Sequence, residues 1–184
     1  LRGDDRTEAD IAGGHELLLS GLNRIAGLDA LVPAPVGDGD PVAFSGGNIL
    51  LGGAGSDIIE GRGGDDILDG DRWLDALIRV NGTLPPGIAR FHNNMATLNA
   101  AVFSGQINPG RLVIVRTVRL AAFNPNHIDV AVFSGPAVEY EVAANPDGST
   151  TVTHLNAGID GTDTLWNMEI LRFQDGDIPV PTNP

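Results

Sequence analysis

The apolar residues of this chain recur in three rhythms, and each predicts a different backbone. Between Glu8 and Leu31, the residues Ile11, Leu18, Leu22, Ile25 and Leu28 recur at steps that suit one helical face. They predict an amphipathic helix beginning near Gly14 and closed by Pro33. Ile88, Phe91, Met95, Leu98 and Val102 repeat that spacing and predict a second helix over 88–103. Alternation dominates later. Val138–Val142 and Thr150–His154 flank Asn145-Pro146-Asp147-Gly148, a hairpin signal. Leu112–Val118 reads as a strand, and short strands at Thr164-Leu165 and Glu169–Phe173 are expected to complete a small antiparallel sheet.

The third rhythm has a period of nine. Residues 52–60 (Gly-Gly-Ala-Gly-Ser-Asp-Ile-Ile-Glu) and 61–69 (Gly-Arg-Gly-Gly-Asp-Asp-Ile-Leu-Asp) share glycine at places one and four, aspartate at six and an aliphatic at eight. Weaker copies flank them: Ala43–Leu51 with Asn48 at six and Leu50 at eight, and Gly70–Ile78 with Asp75 at six and Leu77 at eight. Leu74–Val80 is expected to form a last strand there, with Trp73 capping the open end of the repeats. Leu1-Arg2-Gly3-Asp4 matches the pattern of Leu68-Asp69-Gly70-Asp71, so the chain is expected to open at the end of another repeat. Aspartate followed two residues later by an aliphatic, at 57/59, 66/68 and 75/77, is an order that flexible glycine-rich linkers do not need.

That order suits a hard cation. Calcium takes six to eight oxygens; glycines allow the backbone to approach an ion and present its carbonyls. The candidate carbonyl donors are Gly52, Ala54, Gly55, Gly61, Gly63 and Gly64. Asp57 and Asp66 are the foremost carboxylates, with Asn48, Asp71 and Asp75 behind them. If one repeat makes one loop and one short strand, two repeats complete a turn, and loops two repeats apart stack. The loop ending at Asn48 should then face the loop ending at Asp66, and that ending at Asp57 should face the one bearing Asp71 and Asp75. Asp160-Gly161-Thr162-Asp163 offers two further carboxylates, Asp160 and Asp163, as a second cation site or as a solvated turn.

Charge agrees with a cation partner. The 184 residues carry 24 acidic against 11 basic side chains, a formal −13 that repels nucleic acid and anionic lipid. Cysteine is absent, which removes disulfides and thiolate metal sites. No apolar run approaches the roughly 20 residues of a membrane span. Arg2, Asp4, Asp5 and Arg6 interrupt any leader-like start, so the chain reads as an internal or C-terminal piece of a longer protein. A nucleotide loop would need Gly-Lys-Ser/Thr, which no glycine run here provides. His15, His92, His127 and His154 lack metal spacing and read as surface or helix-face residues.

Over residues 43–75 the sequence resembles the RTX family of hemolysin-type calcium-binding nonapeptide repeats. That resemblance implies a parallel β-roll, export through a type I channel without a cleaved leader, and folding by calcium outside the cell. A looser likeness runs through Phe133-Ser134-Gly135, Tyr140, Pro146-Asp147-Gly148, Asp160–Leu165, Met168-Glu169 and Phe173–Gly176. With Met95 and Ile107–Gly110, it is similar to segments flanking the repeats of large bacterial RTX proteins that carry an animal-type haem peroxidase domain. Arg90-Phe91-His92-Asn93 is similar to an Arg-x-His-Asn element of those peroxidases but lacks the surrounding helices and a second histidine.

The expected molecule is mainly β: a short parallel β-roll with a helical insertion, followed by a mixed segment with a small antiparallel sheet. Its segments would be 1–42 (repeat end and helix), 43–80 (roll) and 81–184 (mixed tail). No catalytic set can be placed in a common pocket, so the segment itself is expected not to be an enzyme. Accessory service to a haem peroxidase and recognition of a protein or glycan ligand are the alternatives to a calcium-folded module.

Overall fold

The computed structural model describes residues 1, 17–18, 24–32, 42–44, 47–155 and 158–181. These residues are mainly strands, with few helices. In chain order the strands are Leu17–Leu18 (β1), Ile25–Ala26 (β2), Val42–Phe44 (β3), Ile49–Leu51 (β4), Ile58–Glu60 (β5), Ile67–Asp69 (β6), Arg72–Val80 (β7), Phe91–His92 (β8), Leu112–Leu120 (β9), Val130–Val132 (β10), Tyr140–Ala144 (β11), Thr150–His154 (β12), Thr162–Trp166 (β13), Ile170–Phe173 (β14) and Gly176–Pro179 (β15). The one α-helix among them, Asn99–Phe103 (α1), is five residues long.

Two sheets carry the repeats. In the first, β4, β6 and β13 run parallel, with Leu50 beside Leu68 and Leu68 beside Leu165. In the second, β5, β10 and β14 run parallel, with Ile59 beside Ala131 and Ala131 beside Leu171. Strand side chains alternate between faces, so β4, β5, β6 and β10 each turn their middle residue inward. Ile59, Leu68, Ala131, Leu165 and Leu171 are all buried in one cluster, with Leu50 packed against it. Leu1 lies on the outer edge of β5, donating from its amino group to the Ile58 carbonyl at 2.7 Å and accepting from the Glu60 amide.

The outer face of the first sheet is covered by residues 25–32. Leu28, Leu31 and Val32 bury against Ile67, with Ile49, Leu51 and Trp166 around them. The helix expected over this stretch is absent from its described part: Leu17–Leu18 and Ile25–Ala26 are strand, and 27–32 is turn. The misleading spacing has a physical source. Leu28 N–H bonds the Ile25 carbonyl and Leu31 N–H bonds the Leu28 carbonyl, so successive three-residue turns place these side chains on one face without a helix. The remainder of that expected helix lies outside the described residues.

Between β6 and β10 the chain leaves the two sheets. Instead of closing the repeats, β7 runs nine residues antiparallel to β9, from Arg72 beside Leu120 to Val80 beside Leu112. β8 and β2 flank this pair to make a four-stranded arm. Its own core is Ile78, Val80, Leu98, Ala101 and Ile107. The second expected helix shrinks to a 3-10 turn at Met95–Thr97 and α1, because Phe91–His92 is drawn into the sheet beside Ile78 and Arg79. Trp73 stands half exposed on β7 opposite Arg119 rather than capping the repeats.

The tail is not a separate antiparallel sheet. The hairpin β11–β12 forms around Asn145–Gly148 as expected, with Val142 beside Val152. Beyond it, β13 pairs antiparallel with β12 on one side and parallel with β6 on the other. β14 likewise joins β10 in parallel and β15 in antiparallel. The ladders thus join residues on both sides of position 80.

Candidate functional site: two ladders of carboxylates

Asn48, Asp57, Asp66, Asp129 and Glu169 each immediately precede a short strand, Asp163 is the second residue of β13, and these six fall into two stacks. On one edge the Asn48 amide donates to the Asp66 carboxylate at 2.6 Å, and the Asp66 amide donates to Asp163 at 2.9 Å. On the other, the Asp57 amide donates to Asp129 at 2.6 Å, and the Asp129 amide donates to Glu169 at 2.7 Å. Asp66, Asp163, Asp129 and Glu169 each therefore receive the backbone amide of the residue stacked one turn earlier, a charge-assisted bond of the stronger kind. Asp65 extends the contact by accepting the Thr162 amide at 2.7 Å, so the loop 61–66 lies on the loop 158–163.

Asp69 closes the first stack. Fully buried, it accepts the amides of Asp71 and Arg72, the Arg72 guanidinium at 2.6 Å and the Asn167 side chain at 2.9 Å. Those bonds fix the point at which the chain turns out into the arm.

Two buried ladder carboxylates, Asp129 and Asp163, hold their protons more tightly than free ones. Burial, then the neighbouring Asp66, pushes Asp163 well above the usual carboxylate range. Burial raises Asp129 to about 6; the Asp57 amide opposes the shift, and Glu169, Asp71 and Asp57 add to it. Asp71 is raised by burial and by Asp69, against the pull of His127. Both stacks therefore gather carboxylates at close range, and in the first of them Arg72 pairs with Asp69.

The fit to a metal can be judged from the loops. Among the described residues no three His, Cys, Asp or Glu side chains gather into a metal-binding group. A cation would then depend on backbone carbonyls with one or two carboxylates, a ligand set that calcium accepts and zinc does not. Both clean loops close tightly on their own aspartate. A Cβ at Gly61 would lie 2.3 Å from Asp66 Oδ2, and one at Gly52 would lie 3.0 Å from Asp57 Oδ2. The repeated closure explains why place one is glycine in these two loops, and it brings the loop backbone beside the carboxylate as the calcium reading requires.

The expected site residues fare unevenly. Asn48 and Asp66 meet as the repeat arithmetic requires. Asp57 does not face Asp75, whose carboxylate is carried away on β7 to pair with Arg119; its partner is Asp129. Asp71 stays close enough to Asp57 for their charges to interact. The carbonyl candidates lie in the two loops, with Gly61, Gly63 and Gly64 buried, Gly52 and Gly55 half-buried and Ala54 exposed. Asp160 and Asp163 part company: Asp163 joins the ladder, whereas Asp160 accepts the Ser134 amide and hydroxyl and the Tyr140 hydroxyl. His154 is no surface residue, since it stacks on Tyr140 and lies 3.7 Å from Asp160. Burial and the Asp160 bond raise Tyr140 to about 12, so this phenol stays protonated as a donor.

Asp129 and Glu169 escaped the sequence reading, although a signal was present. Both are followed two residues later by an inward aliphatic, Ala131 and Leu171, the same short rule that marks 57/59 and 66/68. Residues 158–166, Gly-Ile-Asp-Gly-Thr-Asp-Thr-Leu-Trp, even restore glycine at places one and four, aspartate at six and leucine at eight. They stand 97 residues from their partners at 61–69, out of phase with a nine-residue count.

Residues 42–72 match the RTX calcium-binding nonapeptide repeat, a hemolysin-type repeat, in four copies. The match covers 31 of the 184 residues and identifies this stretch as RTX repeats, which bind calcium. It marks a calcium-binding module, the kind typical of secreted bacterial proteins. No curated protein and no solved structure matches the chain. Among the described residues, no helix is long and apolar enough to cross a membrane.

Proposed function

We propose that this chain is a calcium-folded β-roll module of a larger secreted bacterial protein, and that its roll extends beyond the recognised repeats through residues 124–132 and 158–173. The observation that carries the reading is the pair of carboxylate ladders, Asn48–Asp66–Asp163 and Asp57–Asp129–Glu169. Calcium, when bound, supplies two positive charges and a demand for six to eight oxygens. Asp57 and Asp66 would hold it with carbonyls of the loops 52–56 and 61–65, and Asp163 would serve the loop 158–162 stacked on them. Without a cation the same residues confine negative charge in a buried strip. The chain's own contribution is order: one turn's amides are already bonded to the next turn's carboxylates, so a cation that stabilises one loop stabilises the stack.

Linkage makes this a folding function, because an ion that binds only the folded form stabilises it by about 4 kcal/mol at a concentration a thousandfold above its Kd. Titrating metal-free protein with calcium and with magnesium, followed by calorimetry and circular dichroism, tests it. We expect β-signal and heat with calcium at far lower concentration than with magnesium, whose octahedral demand suits these loops poorly. Equal responses to the two ions would overturn the reading.

A further inference from the structure

Charge is segregated in this molecule in a way that calcium binding does not use. Residues 72–123 contain six arginines and a single aspartate, a formal +5, so the remaining residues carry the other −18 of the total −13. All 11 basic residues of the chain are arginine. This segment is the arm, and one face of its sheet is uncovered among the described residues. A groove of about 400 Å³ runs across that face. Leu77, Val115 and the half-exposed Phe91 form its floor, while Arg24, Arg79 and Arg119 stand around it. Strand alternation explains the lining: Asp75, Leu77 and Arg79 share a face with their cross-strand neighbours Thr117, Val115 and Val113. The opposite face carries Ile78 and Val80 into the arm's core.

We infer that this groove is a docking site for an acidic polypeptide segment bearing apolar side chains. Charge complementarity selects an anionic partner, since among the described residues lining the groove Asp75 is the one acid, and it is engaged by Arg119. The floor selects a polypeptide over a sugar polymer, because aliphatic Leu77 and Val115 offer apolar contact without hydrogen-bonding groups and Phe91 gives a single ring for stacking. Arginine suits such a rim, since its planar fork grips a carboxylate through two parallel bonds.

The test uses the calcium-loaded chain and a labelled 12-residue peptide of alternating glutamate and leucine, read by fluorescence anisotropy. We expect binding that weakens at least tenfold in the Arg79→Gln/Arg119→Gln double variant and as the salt is raised. Arg172→Gln, remote in sequence and paired with Asp177, should leave binding unchanged. Thr117→Glu supplies a second variant that puts a carboxylate into the groove and keeps both arginines; it too should abolish binding. Failure of the peptide to bind would overturn the inference, as would equal binding of its glutamine counterpart. Preferential binding of heparin would assign the groove to a sugar polymer instead, and concentration-dependent self-association lost in the double variant would assign it to a second copy of the chain.

Discussion

The two sheets that carry the repeats (the proposed roll) and the arm solve the same folding problem with opposite chemistry. The roll is parallel, rich in glycine and acidic, and its turns are joined through the ladder carboxylates Asp66, Asp129 and Asp163, each nearly inaccessible to solvent. The arm is basic and antiparallel apart from its β2 edge, and it buries no carboxylate; its core is Ile78, Val80, Leu98, Ala101 and Ile107. One region keeps ionisable groups in its interior, so on the proposed function its stability depends on cations and protons. The other depends on apolar burial, which is indifferent to both. On that proposal a single chain holds a conditional part and an unconditional one, joined at Asp69 and Arg72.

Chelation is the largest test of that contrast. Removing calcium should abolish hydrogen-exchange protection across 49–69, 130–132 and 164–172, with a loss of about 4 kcal/mol or more for well-saturated sites. Amides of Ile78–Val80 and Leu112–Ile114 should keep theirs. Loss of protection in both regions at one calcium concentration would show a single cooperative unit and break the comparison.

Next is Leu98→Ala, which should cost about 2–5 kcal/mol in the arm by leaving a cavity. Calcium affinity should be unchanged, as calorimetry would read. Asp66→Ala should be somewhat milder for folding, about 1–3 kcal/mol, because it leaves the Asn48 amide without its acceptor. Unlike Leu98→Ala it should sharply weaken calcium binding, and more so than Asn48→Ala. A silent Asp66→Ala would remove the ladder from the mechanism.

The smallest expected effect is that of pH on metal-free protein. A carboxyl whose folded value is raised makes the folded state hold its proton where the unfolded state has lost it. For Asp129, raised to about 6, the stabilisation is therefore complete below the unfolded value of about 4. It is lost as pH rises to about 6 and absent above. Asp163 adds to it in the same direction. Metal-free roll stability should fall over this interval while calcium affinity rises, since protons compete for the same oxygens; denaturant melts and calorimetry at pH 4 to 7.5 would read both. The arm's melting should stay flat.

Much of this molecule is legible in local sequence. The nine-residue rhythm identified the loops at 52–57 and 61–66, their glycines and their aspartates, because one loop and one short strand are determined by residues a few positions apart. The Asn145–Gly148 hairpin was legible for the same reason. The Asn48–Asp66 pairing followed from counting two repeats. Counting failed where the chain leaves the roll for the arm and returns. Which carboxylate meets Asp57, that Asp163 rather than Asp160 joins the ladder, and that Leu28 and Leu31 cover the first sheet from turns instead of a helix are all set by contacts tens of residues apart. Only the assembled sheets decide these, because hydrogen bonding and burial act on distance in space, and a repeat separated by 97 residues is as near to its partner as one separated by 18.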